Sequence, residues 1–271
     1  MSRLEGKVAI VTGSSRGIGE GIARRLAIAG AKIIVAARTV EVRDERLSGT
    51  IDTVTDAIKA AGGEATGVAT NLTKKEEREN LVTAAHDIYG RVDILVNNGA
   101  ILIPGNIVDY EERSYDRMME ILIKAPHHLC QLVLPGMIER GEGGSILNIS
   151  SVAAQLTPLH QRSYEAIYGM AKAALEHYTT SLAAEMYEHG ISVNSVAPNG
   201  VVATPGQMFA RKYSQEMLDA AEPVESVAQA AYEFVSGDPK ELTGKNRFSK
   251  DLLKELAVEP VDIGMEAPTP N

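Results

Sequence analysis

Short apolar runs alternate with longer amphipathic segments along this chain. The runs are rich in β-branched residues and most lack period-two alternation, which is typical of parallel strands covered on both faces. The predicted strands are Val8–Val11, Lys32–Ala36, Ala65–Ala69, Val92–Val96, Ser145–Ile149 and Ile191–Val196. The predicted helices are Gly17–Ala29, Ile51–Ala60, Lys75–Tyr89, Ser114–Glu139 and Tyr164–Glu188. This order predicts an α/β fold with a single doubly wound parallel sheet and helices on both faces.

Two connections are longer than the usual two to six residues. The first, Arg38–Thr50, is charged and leads from the second strand to its helix. The second, Val201–Val224, follows the sixth strand and carries Phe209, Tyr213 and Met217 at intervals that fit one helical face. One interpretation is a surface helix packed on the core. The other is a lid over a substrate, because long loops beyond strand carboxyl ends often line binding sites.

Length and composition predict one domain. A chain of 271 residues with 44% apolar residues buries a substantial core. We expect that domain over residues 1–250 and a charged, then proline-rich, C-terminal tail over residues 251–271. Cys130 is the only cysteine, which excludes an intramolecular disulfide, and its apolar neighbours indicate a small core side chain.

Charge and hydropathy narrow the function classes. The formal charge of −9, from 27 basic and 36 acidic residues, argues against a general nucleic-acid binder, which needs a basic face. The N-terminus lacks a signal-peptide apolar region, and no apolar stretch approaches the ~18 residues that span a bilayer. The six histidines form no metal-ligand pattern, so no metal is expected. We expect a soluble cytoplasmic protein that binds neither nucleic acid nor membrane.

A glycine-rich turn marks the start of the chain. Gly13, Gly17 and Gly19 lie between the first predicted strand and its helix. Glycines there permit a tight turn and close approach of backbone N–H groups to a pyrophosphate, and the helix N-terminus favours negative charge. A plain strand-to-helix turn is the alternative, but the flanking strand and helix favour a dinucleotide cofactor.

The end of the second strand indicates which cofactor. An acidic residue there would bind the ribose hydroxyls of NAD, whereas this strand ends in Ala37 and Arg38. The guanidinium of Arg38 suits a phosphate, and Arg16 in the glycine turn is placed to reach the same group. Either arginine could instead be a solvated surface charge. The pair favours NADP(H), with NAD(H) possible.

Tyr168 is the only one of nine tyrosines with a lysine four residues later, Lys172. At helical spacing the two side chains share one face. An ammonium beside a phenol lowers the phenol pKa from its ordinary value of about 10. The pair therefore predicts a proton donor or acceptor.

Together these features resemble the classical short-chain dehydrogenase/reductase family, and more loosely its hydroxysteroid-dehydrogenase-like subgroup. The resemblance covers residues 4–245. The matching segments are Thr12–Gly19, Asn97–Ala100, Ser150-Ser151, Tyr168 with Lys172, Asn194 and 198–204. It implies a Rossmann-type fold, a homotetramer or homodimer, and reversible hydride transfer between NAD(P) and a carbonyl or alcohol of a small molecule.

The resemblance also implies roles for particular residues. Tyr168 would be the general acid and base, Lys172 would lower its pKa and hold the nicotinamide ribose, and Ser151 would bind the substrate oxygen. Ser150 is the neighbouring alternative to Ser151. The residues expected to contact cofactor are Gly13, Ser15, Arg16, Gly17, Ile18, Gly19, Arg38, Asn71, Leu72, Asn98, Gly99, Tyr168, Lys172, Pro198, Val201 and Thr204. Those expected near substrate are His160, Tyr164 and Met208.

The sequence also departs from the family pattern. The chain has Asn-Asn-Gly-Ala at 97–100 where the family usually has Asn-Asn-Ala-Gly, and Asn71 where Asp is common. The long gap from Ser151 to Tyr168 predicts an extra loop at Thr157–Tyr164 beside the substrate.

The departure nearest to catalysis is Leu122, which stands where many members have an asparagine whose backbone carbonyl holds a relay water. Pro126, four residues later, has no N–H to donate to that carbonyl. The carbonyl would then remain free to bind water, and we expect the relay to be retained. Lost or reduced activity is the alternative.

These features predict an NADP(H)-dependent oxidoreductase that transfers a hydride between nicotinamide and a ketone or secondary alcohol of a medium-sized, mainly apolar substrate. The alternative from another class is a catalytically weak cofactor-sensing protein on the same fold. A third option is epimerisation or dehydration on the same scaffold.

Overall fold

Seven parallel strands form one sheet in the order β3-β2-β1-β4-β5-β6-β7. The computed structural model describes residues 3–42, 44, 47–155, 164–210 and 212–265. The strands are β1 (Val8–Thr12), β2 (Lys32–Ala37), β3 (Glu64–Ala69), β4 (Ile94–Asn97), β5 (Gly144–Ile149), β6 (Ile191–Ala197) and β7 (Asn246–Phe248). The order along the sheet reverses between β1 and β4. In doubly wound sheets that switch point opens a crevice at the strand carboxyl ends.

Ten helices connect and cover the strands in the described part of the chain. They are α1 (Gly17–Ile28), α2 (Ile51–Ala60), α3 (Lys75–Tyr89), α4 (Glu112–Met119), α5 (Ala125–Arg140), α6 (Ala166–Met186), α7 (Pro205–Ala210), α8 (Gln215–Asp219), α9 (Val224–Ser236) and α10 (Ser249–Leu256). The predicted fold class is confirmed.

The sheet separates two apolar cores, and β2 shows why its sequence lacks alternation. Ile33 and Val35 face the core formed with α1, α2, α9 and α10, whereas Ile34 faces the core formed with α3, α5 and α6. Successive side chains of a strand point to opposite faces, so a strand covered on both sides is apolar at every position.

The predicted strands are all present, with ends that differ by at most two residues, but β7 was missed. Asn246–Phe248 pairs in parallel with the end of β6 and is only partly buried. An edge strand of three residues with polar side chains has no apolar run to mark it.

The long helix predicted at Ser114–Glu139 is interrupted. A π-helical turn, Glu120–Lys124, joins α4 to α5, and within it the Ala125 N–H donates to the Glu120 carbonyl. In a regular α-helix the ring of Pro126 would clash with the carbonyl of Leu122. The wider turn directly before the proline relieves that clash.

The segment from Glu112 to Arg140 is also long and apolar enough to cross a membrane by length and composition alone. The core helix of a soluble protein passes the same test. Leu129, Val133 and Met137 of α5 belong to the core cluster on one face of the sheet, so we describe this segment as a core helix.

The single apolar stripe predicted for Phe209, Tyr213 and Met217 is wrong, because these residues do not share a helix. α7 ends at Ala210, residues 212–214 are not helical, and the Ser214 hydroxyl accepts a hydrogen bond from the Met217 N–H to start α8. Phe209 and Met217 are each about half exposed.

The tail predicted from residue 251 is instead packed against the domain. α10 crosses that boundary, and Leu252, Leu253 and Ile263 lie in the core with α1 and α9. The paired leucines of a short, otherwise charged helix supply the buried side. The packed chain therefore extends well beyond residue 250, and the part beyond 265 lies outside the described residues.

Candidate active site

A groove lies at the carboxyl ends of the strands, where the strand order reverses. It is walled by the glycine turn after β1 and by the ends of β2, β3 and β4, with α7 at one side. The predicted cofactor residues on its wall are Gly13, Ser15, Arg16, Gly17, Ile18, Gly19, Arg38, Asn71, Leu72, Asn98, Gly99 and Thr204. Wall residues that the sequence analysis missed include Thr39, Ile101, Ile121 and Gln207. Tyr168, Lys172, Pro198 and Val201 are not on this wall.

The turn after β1 is packed too tightly against Asn98 to hold a side chain at Gly19. A Cβ built on Gly19 would lie 2.4 Å from Asn98 Nδ2 and 2.5 Å from the Gly13 carbonyl oxygen. Asn98 Nδ2 holds the turn by donating to the carbonyls of Thr12, at 2.8 Å, and Gly13, at 3.2 Å. Gly13 and Gly17 have positive φ, +65° and +59°, which glycine adopts without strain. The N-terminus of α1 thus lies directly against the groove, as anion-binding helices do.

Arg16 and Arg38 share a cavity beside the groove, which Thr39, Asn71 and three acidic residues, Glu41, Asp44 and Glu77, also line. Arg16 donates from Nε to the Ser48 carbonyl at 2.9 Å and from Nη2 to the Gly49 carbonyl at 2.8 Å. Burial, and then repulsion by Arg38, lowers the pKa of Arg16. Arg38 is exposed, and it forms no ion pair with any residue that the structure describes. Two guanidinium groups that repel each other favour an anion between them.

The structure brings Ser151, Tyr168 and Lys172 together. Ser151 follows β5, and its Oγ accepts a hydrogen bond from the Ala153 N–H at 3.2 Å. Tyr168 lies on the first turn of α6, and its interaction with the Ser151 side chain lowers the pKa of the phenol. Lys172 Nζ lies 5.6 Å from the centroid of the Tyr168 ring and donates to the Ile149 carbonyl at 2.6 Å.

Burial has the largest effect on the pKa values of Tyr168 and Lys172. It raises the pKa of Tyr168 to about 12, and the interaction with Ser151 opposes that rise. It lowers the pKa of Lys172 from 10.5 to about 8, and the charge of Glu176 opposes that fall. The expected lowering of the Tyr168 pKa is therefore not found in the free protein. The ammonium lies against the Ile149 carbonyl and the tyrosine ring, and desolvation of the phenol dominates.

The depressed pKa of Lys172 also affects stability. Below about pH 8 the folded chain buries an ammonium, which costs stability relative to the unfolded chain. The cost is relieved as pH rises from about 8 towards the ordinary lysine value of 10.5. A buried charge retained at this cost indicates a functional group rather than a structural one.

The structure separates the two candidate serines. The Ser150 hydroxyl donates to Glu176 Oε1 at 2.6 Å, and Ser150 is only 4% exposed. Its hydroxyl is therefore engaged in the interior, whereas the Ser151 side chain is the one that affects the pKa of Tyr168.

Leu122 lies behind Tyr168. Its side chain is 1% exposed and forms a small cluster with Met118 and Ala171, against which Tyr168 packs. The π-helical turn therefore lies next to the tyrosine.

Glu222 holds together the two ends of the segment of residues 199–222. The buried carboxylate accepts hydrogen bonds from the Asn199 N–H, at 2.6 Å, and from the Ser249 hydroxyl. The Glu222 N–H donates to the Val201 carbonyl at 2.8 Å, and burial raises the pKa of the carboxyl. Both ends of the segment are thereby held together. No sequence pattern predicts this role for Glu222, because one acidic residue before a proline is not distinctive.

Two of the three predicted substrate residues lie in the described part of the structure. His160 lies outside the described residues. Tyr164 has φ +52°, a conformation that costs energy outside glycine. Its carbonyl accepts the Gly105 N–H at 2.9 Å, which joins the start of α6 to the connection after β4. Met208 lies on α7, and its N–H donates to the Thr204 carbonyl at 2.9 Å.

Comparison with known proteins finds extensive similarity. The family model for short chain dehydrogenase matches residues 7–215. The human "Dehydrogenase/reductase SDR family member 4" is 34% identical over 98% of this chain and 89% of its own length. The "Ketoacyl reductase HetN" of a Nostoc species is 30% identical over 99% of this chain and 88% of its own length.

Solved structures agree with these relatives. The L-sorbose reductase from Gluconobacter frateurii, complexed with NADPH and L-sorbose, is 29% identical with a TM-score of 0.79, covering 92% of this chain and 97% of that one. A metagenomic short-chain oxidoreductase in complex with NADP is also 29% identical, with a TM-score of 0.73, covering 91% of this chain and 99% of that one.

Proposed function

The chain belongs to the short-chain dehydrogenase family, and from that premise we propose that it is an NADP(H)-dependent oxidoreductase acting on a ketone or secondary alcohol. The observation that carries the proposal is that Ser151, Tyr168 and Lys172 come together in a chain that also has a tightly packed glycine turn at the crevice. A cofactor-sensing protein would need the groove but not the trio.

The residues of the trio would divide the proton work. The nicotinamide, when bound, supplies or accepts the hydride. At neutral pH the Tyr168 phenol is protonated, since burial holds its pKa at about 12, so it enters the reaction as a proton donor to a carbonyl oxygen. Ser151 donates a hydrogen bond to the same oxygen, and Lys172 places a positive charge behind the phenol as negative charge develops on it.

Arg16 and Arg38 support the preference for NADP(H). The 2′-phosphate would replace their mutual repulsion with charge-assisted hydrogen bonds. Two similar structures contain NADP or NADPH. NAD(H) would occupy the same groove without that gain.

The side chains around Tyr168 favour a medium-sized, mainly apolar substrate. Ile103, Met119 and Ile167 are partly buried against the cluster that holds Leu122. Phe209, about half exposed on α7, adds apolar surface in the segment of residues 199–222.

The π-helical turn supports the relay proposed at Leu122. Because Pro126 has no N–H, the Leu122 carbonyl lacks its regular helical donor and can accept a bond from water. π-helical turns inside α-helices are frequent at functional sites.

Pro126→Ala tests the relay. An N–H at residue 126 would let the helix regularise and engage the Leu122 carbonyl, so we expect slower turnover and a larger solvent isotope effect, with a more stable helix. Pro135→Ala is a matched control, because Pro135 is also inside α5 but lies farther from the π-helical turn. Full activity of Pro126→Ala, together with a markedly faster Leu122→Asn variant, would show that the free carbonyl is not the relay.

Assembly and location are also part of the proposal. α5 and α6 are long helices with exposed apolar residues, among them Ile138 and Met170. Pairing these helices across a twofold axis would bury that surface in a cytoplasmic homodimer or homotetramer. A monomer in sedimentation at micromolar concentration would exclude both assemblies.

The deciding experiment is a turnover assay. The purified chain should oxidise NADPH in the presence of a panel of medium-sized ketones, which lowers the NADPH absorbance. With NADP+ and the matching alcohols, the absorbance should rise. Tight NADPH binding without turnover on any member would favour the cofactor-sensing alternative. A change in substrate without net cofactor oxidation would indicate epimerisation or dehydration.

A further inference from the structure

Glu176 lies one helical turn beyond Lys172 on α6. Tyr168, Lys172 and Glu176 follow each other at intervals of four residues, so their side chains share one face of the helix. Lys172 is fully buried and Glu176 half-buried. The face that carries the tyrosine and lysine therefore continues into a carboxylate.

The Glu176 carboxylate also contacts the turn that carries Ser151. Its Oε1 accepts the Ser150 hydroxyl at 2.6 Å. The Ser150 N–H donates to the Val196 carbonyl at 2.8 Å, so the residue before Ser151 is fixed to both β6 and α6. Asn246 Nδ2 donates to the Glu176 carbonyl at 3.3 Å, which anchors this part of α6 to β7.

Lys172 needs a compensating charge more than an exposed lysine does. Its ammonium is removed from water and has one carbonyl partner, Ile149. Glu176 is the charged group that favours the ammonium form of Lys172. Other elements packed against α6 carry charges, including Asp116 and Arg117 of α4, Glu120 and Lys124 of the π-helical turn, and Arg247 of β7. Unlike these groups, Glu176 lies on α6 itself, one turn from Lys172.

We propose that Glu176 is a positioning residue with two effects: it keeps Lys172 charged in a buried site, and through Ser150 it fixes the turn of Ser151. It acts through these two residues rather than on the reacting atoms. The catalytic consequence presupposes the function proposed above, whereas the effect on the charge of Lys172 does not.

Direct titration of Lys172 tests the first effect without any turnover. In the free protein labelled with ε-¹³C lysine, and with the resonance assigned by Lys172→Met, the wild-type midpoint should fall near pH 8. Glu176→Gln preserves shape and an acceptor for Ser150 but removes the charge. Its Lys172 midpoint should lie about one pH unit lower, because an anion no longer attracts the ammonium.

Three further variants separate the effect of the Glu176 charge from the effect of its hydrogen bond. Ser150→Ala removes the hydrogen bond and leaves the carboxylate, so it should lower turnover severalfold without lowering the Lys172 midpoint. Glu185→Gln removes an exposed carboxylate from the same helix and should change neither quantity. Glu176→Asp keeps the charge, so its Lys172 midpoint should stay close to the wild-type value. Thermal melts check that each variant folds.

The pH profile of kcat/KM for NADPH carries the same test into catalysis, because it reports ionisations of the free enzyme. Its alkaline limb should move to lower pH in Glu176→Gln and stay in place in Ser150→Ala. An unchanged Lys172 midpoint in Glu176→Gln overturns the proposal, whether or not the chain turns over a ketone. Absence of turnover in the wild type, with the midpoint shifted as expected, would refute the oxidoreductase function alone.

Discussion

Tyr168→Phe should reduce turnover by at least the ~10²-fold typical of losing a general acid, while NADPH affinity changes little. The substitution removes only the hydroxyl, and the ring keeps its packing against the cluster of Leu122 and Ala171. The loss should appear in kcat measured with saturating NADPH and ketone, with affinity followed by the nicotinamide fluorescence.

Tyr187→Phe is the matched control for this substitution. Tyr187 follows α6 directly, is about half exposed, and lies far along the helix from Tyr168. Its variant should match the wild type in both kcat and NADPH affinity. A Tyr168→Phe enzyme with near-normal turnover would mean that another group supplies the proton.

Arg38→Asp should abolish or reverse the preference for NADPH over NADH. Charge-assisted hydrogen bonds contribute about 1.5–3 kcal/mol each, and the exposure of Arg38 places its share at or below the lower end. We expect the ratio of NADH to NADPH dissociation constants to fall by about tenfold or more. Aspartate also repels the 2′-phosphate and accepts bonds from the ribose hydroxyls of NADH.

Two further substitutions make this result specific. Lys59→Asp, on an exposed position of α2, makes the same change in net charge and should leave the ratio unaltered. Arg16→Met should weaken both cofactors, because Arg16 also holds the connection after β2 through the Ser48 and Gly49 carbonyls. Equal affinity of the wild type for NADH and NADPH would contradict the assignment.

Continuous apolar runs were sufficient to predict six of the seven strands, because most of those strands are covered on both faces. Continuous apolar runs such as 33–36 mark such strands directly, and the glycine turn after β1 locates the crevice between them. α2 and α3 begin and end at the predicted residues. The spacing of Tyr168 and Lys172 likewise placed the two side chains on one helix face.

The remaining features depend on contacts that no local pattern encodes. The π-helical turn forms because the ring of Pro126 does not fit a regular α-helix. The sequence alone predicts only the missing hydrogen bond to the Leu122 carbonyl. The direction of the Tyr168 pKa shift depends on whether desolvation of the phenol, which raises the pKa, outweighs the positive charge of Lys172, which would lower it. β7 exists because Asn246–Phe248 meets the edge of β6, and Glu222 matters because Asn199 and Ser249 approach it from elsewhere in the chain.

The anchoring at Glu222 has a consequence for how such a protein can diversify. Because the carboxylate holds the two ends of the segment from Asn199 to Glu222 together, the intervening residues form a closed excursion from the scaffold. Lengthening a loop with fixed ends costs little, about 0.6 kcal/mol for each doubling. Insertions, deletions and exchanges within 208–220 would therefore change which molecules enter the crevice, while the sheet, the cofactor wall and the proton-transfer groups stay unchanged.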